Sequence, residues 1–280
     1  MARTTPDKVE LKRNIANIKK FLQREDCGMI DSGIELARSL DQESIFEEFL
    51  KDCKIYEGSL VRNKIFSGEA SAQQYLDYAL LNLIAYAPEK TNLNKSLKRS
   101  NIKSLNFYEN EEWTELPSCI SSFTSLTSLD MCRYYTLENI DGLAKLTNLT
   151  SLDLSDCDVL ENIDGLTNLT KLTSLNLQWC NVLQNVDGLT NLTKLTNLDL
   201  GRCDALQNID GLAKLTNLTN LGLWGCDALQ NVDGLANLTK LTNLDLSKCK
   251  SLMPKPSPVT MNTGQQVVTY QERIKKSMKK

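Results

Sequence analysis

Nine cysteines and a carboxylate-rich sequence without a single histidine define what chemistry this chain could do. Without imidazole there is no Ser-His or Cys-His nucleophile, no HExxH zinc site and no histidine general base. Any catalysis would fall to carboxylates, lysine, tyrosine or bare thiols. Five of the cysteines, at 157, 180, 203, 226 and 249, recur every 23 residues. Neighbouring parallel strands lie about 4.7–4.9 Å apart, within the Cα separation of a disulfide. Equivalent side chains of stacked units point the same way, however, and nine is an odd number. Reduced thiols packing as small hydrophobes are the expectation. Cys27 and Cys53 lack the CxxC spacing of zinc ligands. The acidic candidates are Asp141, Asp164, Asp187, Asp210 and Asp233, each before a glycine and two places after an asparagine. A calcium site needs several carboxylates converging on one ion, and these are spread one per repeat. The Asp-Gly pair predicts a turn instead, with glycine at positive φ and the carboxylate holding nearby N–H groups. No metal or cofactor is expected.

The spacing that recurs is that of the units themselves. They read LTSLDMCRYYTL from 126, LTSLDLSDCDVL from 149, LTSLNLQWCNVL from 172, LTNLDLGRCDAL from 195, LTNLGLWGCDAL from 218 and LTNLDLSKCKSL from 241, with a less regular unit from about 102. In the unit from 149, Leu152 and Leu154 alternate with Ser151, Asp153 and Ser155, the period of a strand with one buried face. Beyond Cys157 the apolar spacing becomes three, as in an irregular return. One such unit cannot bury enough to fold alone, whereas stacked units share a continuous core.

These residues carry a resemblance. LxxLxLxxCxxL resembles the leucine-rich repeat in its cysteine-bearing variant, and NIDGLAKLTN is similar to the convex half of the short bacterial repeats of internalin type. LPSCI at 116–120 resembles the LPxxI of plant-like repeats. The resemblance implies an α/β solenoid: a curved parallel sheet of about seven coils over residues 96–252. It also implies protein recognition on the concave face and adjoining loops, without enzymatic activity. Two other readings attach to this family. Cysteine-bearing repeats follow F-box segments in ubiquitin-ligase adaptors, and IFEEFLKDC at 45–53 is faintly similar to such a segment. Some bacterial repeat-bearing effectors carry a catalytic cysteine, but in a further domain after the repeats.

The flanking segments differ. Residues 1–95 read as a small all-α domain capping the solenoid. Helices are predicted near 6–24, 31–40, 43–52 and 71–87, with a loop from Tyr56 to Ala70. Residues 253–280 read as a Pro/Lys-rich tail, flexible over MPKPSPVTMNTG, that is expected to cap the last coil, which would otherwise stand open. Val267, Tyr270, Ile274 and Met278 are spaced for one face of a short helix. A net charge of −3 gives no pull toward nucleic acid or anionic membrane. The N-terminus lacks an apolar signal segment, so a cytoplasmic location is expected. The NLT sequons at Asn148, Asn168, Asn191, Asn217 and Asn237 read as by-products of the repeat.

Variable positions then locate the binding surface. Just after the strand, Trp179, Arg202 and Trp224 stand on three successive coils and should lie within about 10 Å. Tryptophan and arginine are the residues most enriched at interface hot spots. Gln178, Arg133 and Tyr134 are expected to extend the patch. Asp130, Asp153 and Asp199 form an acidic column on the concave face, whose Asp130–Asp153 end would favour a basic segment of a partner protein.

Overall fold

The computed structural model describes residues 53–56, 59–62, 103–106, 113–116, 118–252 and 256–278, together with Arg13 and Asn17, both helical. The helices expected over 31–40, 43–52 and 71–87, and the rest of the one over 6–24, lie outside the described residues. The chain divides into two compact units, 1–107 and 108–280.

In the first unit, β1 (Cys53–Tyr56) and β2 (Ser59–Arg62) pair antiparallel, and β2 meets β3 (Ser104–Asn106) in parallel through Ser59 and Ser104. This corrects the loop expected from Tyr56 to Ala70: the KIY and LVR runs, rich in β-branched and aromatic residues, favour strands. The unit is therefore not all-α.

The second unit is built on the 23-residue period. Strands β4 (Ser128–Asp130), β5 (Ser151–Asp153), β6 (Ser174–Asn176), β7 (Asn197–Asp199), β8 (Asn220–Gly222) and β9 (Asn243–Asp245) pair in parallel, each residue facing its equivalent one repeat on. Each strand buries its central leucine and turns its two flanking polar residues outward. Threonine hydroxyls before the strands extend the ladder: Thr150, Thr173, Thr196, Thr219 and Thr242 each donate to the carbonyl of the threonine one coil back, at 2.9–3.2 Å. Opposite the sheet, each Asp-Gly-Leu forms a single 3₁₀ turn. The leucines, isoleucines and valines of every coil fill the space between these two walls, most of them fully buried.

The solenoid ends in a C-terminal cover, as expected of a last coil that needs one. β10 (Thr260–Met261) pairs antiparallel with β9, and the Leu246 N–H donates to the Val259 carbonyl at 2.8 Å. Those bonds satisfy backbone groups that an open edge strand would expose, which outweighs the prolines' bias to disorder. Helix α1 (Gly264–Ser277) follows, N-capped by Thr263, whose side chain accepts the Gln266 N–H. Val267, Tyr270 and Ile274 face inward as their spacing predicts, while Met278, beyond the last helical turn, is exposed. Gln271 is buried with them because its Nε2 donates to both the Leu235 and Leu238 carbonyls, each at 2.9 Å.

Candidate recognition surface

The cysteines form an internal ladder. Cys157, Cys180, Cys203, Cys226 and Cys249 are all buried. Each thiol is directed at a carbonyl of the preceding coil, from 3.8 Å for Cys157 to 3.1 Å for Cys226 and Cys249. Burial, more than any other influence, pushes these thiols up, Cys249 to about 11. A thiol held protonated is neither nucleophile nor metal ligand. Counting back 23 residues from Cys157 leads to Tyr134, which occupies the same rung and is fully buried against Trp113, ring centroids 5.8 Å apart. Tyr134 therefore cannot extend a surface patch, contrary to the expectation. Its neighbour Cys132 is off the ladder and half-buried, with its thiol pushed up to about 12 by burial and then by Asp130.

The Asp-Gly turns are held differently from the way their sequence suggests. The cap comes from the asparagine two places earlier: Asn139, Asn162, Asn185, Asn208 and Asn231 accept the N–H of the following aspartate at 2.6–3.2 Å. The glycines are not in the left-handed region; they are needed for space. A Cβ at Gly165 or Gly188 would lie 2.6 Å from the carbonyl oxygen of the isoleucine in the preceding coil.

The residues that do take positive φ stand one per coil, immediately before the cysteine rung: Arg133, Asp156, Trp179, Arg202, Gly225 and Lys248, at 58–72°. They reverse the chain out of each strand. The concave acidic column supplies the bond that fixes this turn. Asp130, Asp153, Asp199 and Asp245 each accept, through Oδ1, the N–H two residues on, at 2.8–3.1 Å, and Asn176 does the same. The column thus has a structural role besides its charge. Burial raises the Asp130 carboxyl above the ordinary range, the Cys132 N–H opposes this, and the charge of Asp153 adds to the rise.

Trp179, Arg202 and Trp224 do come together. The two indoles meet edge to face, centroids 5.9 Å apart, and the Arg202 guanidinium lies 4.8 Å over the Trp179 ring. Arg202 also pairs with Asp204 at 3.4 Å, and Lys248 approaches Trp224 at 5.7 Å. Trp179 is 36% exposed; Trp224 and Arg202 are half-buried. Two glycines, which sequence reasoning passed over, make this packing possible. A Cβ at Gly201 would fall 2.5 Å from Trp224 Cδ1, and one at Gly225 2.6 Å from Arg202 Cδ. Trp224 therefore leans back one coil and Arg202 forward one coil. Gln178 ties this ridge to the column, donating from Nε2 to Asp199 Oδ2 at 2.5 Å. Arg133 stands two coils from Trp179 on the same ridge, across Asp156.

A family profile for Zer-1-like leucine-rich repeats matches residues 186–261. No curated protein matches. Among solved structures, internalin C2 of Listeria monocytogenes is similar at 24% identity over 57% of this chain and 71% of its own, with a TM-score of 0.44. A leucine-rich-repeat protein of Leptospira interrogans is similar at 19% identity, covering 59% of this chain and 47% of its own, TM-score 0.42. The functional domain of InlJ from Listeria monocytogenes, which includes a cysteine ladder, is similar at 27% identity over 54% of this chain and 35% of its own, TM-score 0.40. The chain thus spans less than half of the second structure and about a third of the third. The 23-residue register, the stacked strand-and-turn coils and the profile match over residues 186–261 give the chain a leucine-rich-repeat solenoid fold.

Proposed function

We propose that the protein is a non-enzymatic recognition scaffold whose partner, another protein, binds the ridge of Trp179, Arg202 and Trp224 and the concave face beside it. Leucine-rich-repeat domains generally mediate protein–protein interaction, and a solenoid presents an extended surface for it. One observation carries the placement: two indoles and a guanidinium are stacked on one another at the surface, over glycines that leave room for them. The coils on either side manage the same backbone with serine, aspartate or lysine there, so the fold does not require the cluster. Aromatic and arginine side chains already ordered against one another lose little rotamer freedom on binding, which favours affinity. Among the described residues, the ladder thiols are buried and the column aspartates hold turns.

The test is a comparative pull-down, wild type against Trp179→Ala/Trp224→Ala, followed by titration of whatever protein the wild type alone retains. Binding should weaken by about 2 kcal/mol or more, with an unchanged far-ultraviolet spectrum. Equal affinity for both proteins places the site elsewhere. Loss of folding assigns the indoles to the core.

A further inference from the structure

The edge of the solenoid where each coil enters its strand carries a feature that neither the ridge nor the sheet face uses. Between the 3₁₀ turn and the strand, five consecutive coils read LAKLTNLT from 143, LTNLTKLT from 166, LTNLTKLT from 189, LAKLTNLT from 212 and LANLTKLT from 235. Each holds one lysine and one asparagine at the same two positions, and the two trade places. Lysine comes first at Lys145 and Lys214, and second at Lys171, Lys194 and Lys240. A unit copied for its fold alone would keep its lysines in one column. What all five coils retain is one cation, at whichever of the two positions it stands. Residues 134–247 hold six basic residues, five of them these lysines, and fourteen acidic ones, none within these segments. Charge is therefore sorted along each coil rather than scattered. All five lysines are exposed, and none forms an ion pair among the described residues. Lys171 and Lys240 are held by amides instead: each Nζ donates to Oδ1 of Asn148 or Asn217 in the preceding coil, at 2.6 Å. Those asparagines are themselves fixed, donating from Nδ2 to the Thr124 and Thr193 carbonyls at 2.7 and 2.8 Å. A carboxamide places an ammonium without cancelling its charge. Two of the five cations are thus ordered in advance and still open to an anion, which lowers the entropy lost on binding one.

We infer that this lysine lane docks an acidic α-helix of a partner protein. The lane lies at the entry of the strands and the ridge at their exit, so the inference does not depend on what the ridge binds. At about 4.8 Å per coil, the five lysines extend over about 19 Å. A helix with carboxylates at positions i, i+4, i+7, i+11 and i+14 presents five charges in one stripe, over about 21 Å at 1.5 Å per residue. Such a stripe zigzags about its own line, as the lysines do between their two columns. The flexible four-carbon lysine stems take up the small difference in length. An extended acidic segment fits less well: its same-side carboxylates recur about every 6.6–6.8 Å and fall out of step with the coils. A nucleic acid finds no aromatic side chain in these segments on which a base could stack.

The probe is a fluorescent alanine-rich peptide with glutamates at those five positions, held helical by a side-chain cross-link on its other face. It is titrated into the full chain by anisotropy at low ionic strength. The control peptide has the same composition and cross-link, with its glutamates spread around the helix. The striped peptide should bind saturably and more tightly than the control. Lys171→Gln/Lys194→Gln/Lys214→Gln should weaken it by about tenfold, since each exposed ion pair contributes a factor of about two to three. Arg273→Gln/Lys275→Gln/Lys276→Gln removes the same formal charge from α1 and should change binding by less than about threefold. Asn191→Lys/Lys194→Asn exchanges the two positions within one coil, giving it the order found from 212, and should bind within about twofold of wild type. The exchange keeps the net charge, so it tests the lane even if the triple variant fails to fold. No saturable binding to wild type overturns the inference, as does equal binding of the two peptides. Equal weakening by the two triple variants, or loss of binding in the exchange variant, overturns it as well. Tighter binding of a duplex DNA than of the striped peptide would make the lane a phosphate-backbone surface instead and would also overturn it.

Discussion

Gly188→Ala adds one methyl group to the convex side of the solenoid and should remove about 3 kcal/mol of stability. The added Cβ would stand 2.6 Å from the Ile163 carbonyl oxygen and 2.9 Å from its carbon. Carbon–oxygen contacts settle at about 3.3–3.6 Å, so the two coils must part by nearly 1 Å. A gap of that size forfeits a quarter to a half of the dispersion attraction between the surfaces it separates. Overpacking in a core generally costs about 1–3 kcal/mol; here the upper end applies, because the obstacle is backbone and cannot rotate away. Two glycines give the scale. A Cβ at Gly142 meets only the side chains of Ile120 and Leu116, at 3.0 and 3.1 Å, so Gly142→Ala should cost about 1 kcal/mol. A Cβ at Gly264, at the start of α1, has only Thr242 Cγ2 within reach, at 3.6 Å. Gly264→Ala should stabilise by about 0.5 kcal/mol through the unfolded state. Urea unfolding followed by circular dichroism measures all three. A loss at Gly188 no larger than that at Gly142 would refute the account of coil spacing.

Asp156→Gly removes a side chain from a residue at φ 58° and should stabilise by about 1 kcal/mol in the same assay; a loss would mean that the Asp156 side chain holds the turn. Ile274→Asp places a carboxylate where α1 is buried and should undock the cover, lowering the melting temperature by several degrees for each kcal/mol lost; an unchanged temperature would show α1 contributes nothing. Stability should also fall on the alkaline side. The ladder thiols and Cys132 are raised in the folded chain, so between pH 9 and about 11–12 the unfolded state releases protons first and is favoured as pH rises. Thiol labelling at neutral pH should accordingly be slow until the protein unfolds, and rapid labelling of any ladder cysteine in the native state would contradict its burial.

The parts of the fold legible in the sequence are those written more than once. Six aligned copies fix which leucines face inward, where each strand starts and that the cysteines lie in one column, because an error in one copy is corrected by the others. The same register places Tyr134 on the cysteine rung. Reading Tyr134 instead with its neighbour Arg133 put a core residue on the surface. The Asn-x-Asp-Gly turn shows a different limit. Its residue types announced a turn correctly, but composition does not say which side chain is the cap, nor whether glycine serves conformation or proximity. That depends on a carbonyl one coil away, which only stacking brings near. Strands β1 and β2 occur once, so short-range propensity alone had to separate strand from loop, and it is too weak to do so reliably over four residues.

The ridge sits between these cases. The register was enough to bring Trp179, Arg202 and Trp224 onto neighbouring coils, but not to say that Arg202 would stack on Trp179, two indoles meeting beside it. That arrangement follows from where side chains are absent. Gly201 is one repeat before Trp224, and Gly225 one repeat after Arg202, so each large residue has its room in an adjoining coil. Gly222 is likewise one repeat after Asp199, whose carboxylate leans into it. In a solenoid the space a side chain occupies belongs to residues 23 positions away, and the glycines at variable positions mark where a neighbour has been given that space. Replacing Gly201 or Gly225 should therefore disturb the tryptophan–arginine stack although neither residue has a side chain to offer a partner, which makes the ridge one surface rather than three separate contacts.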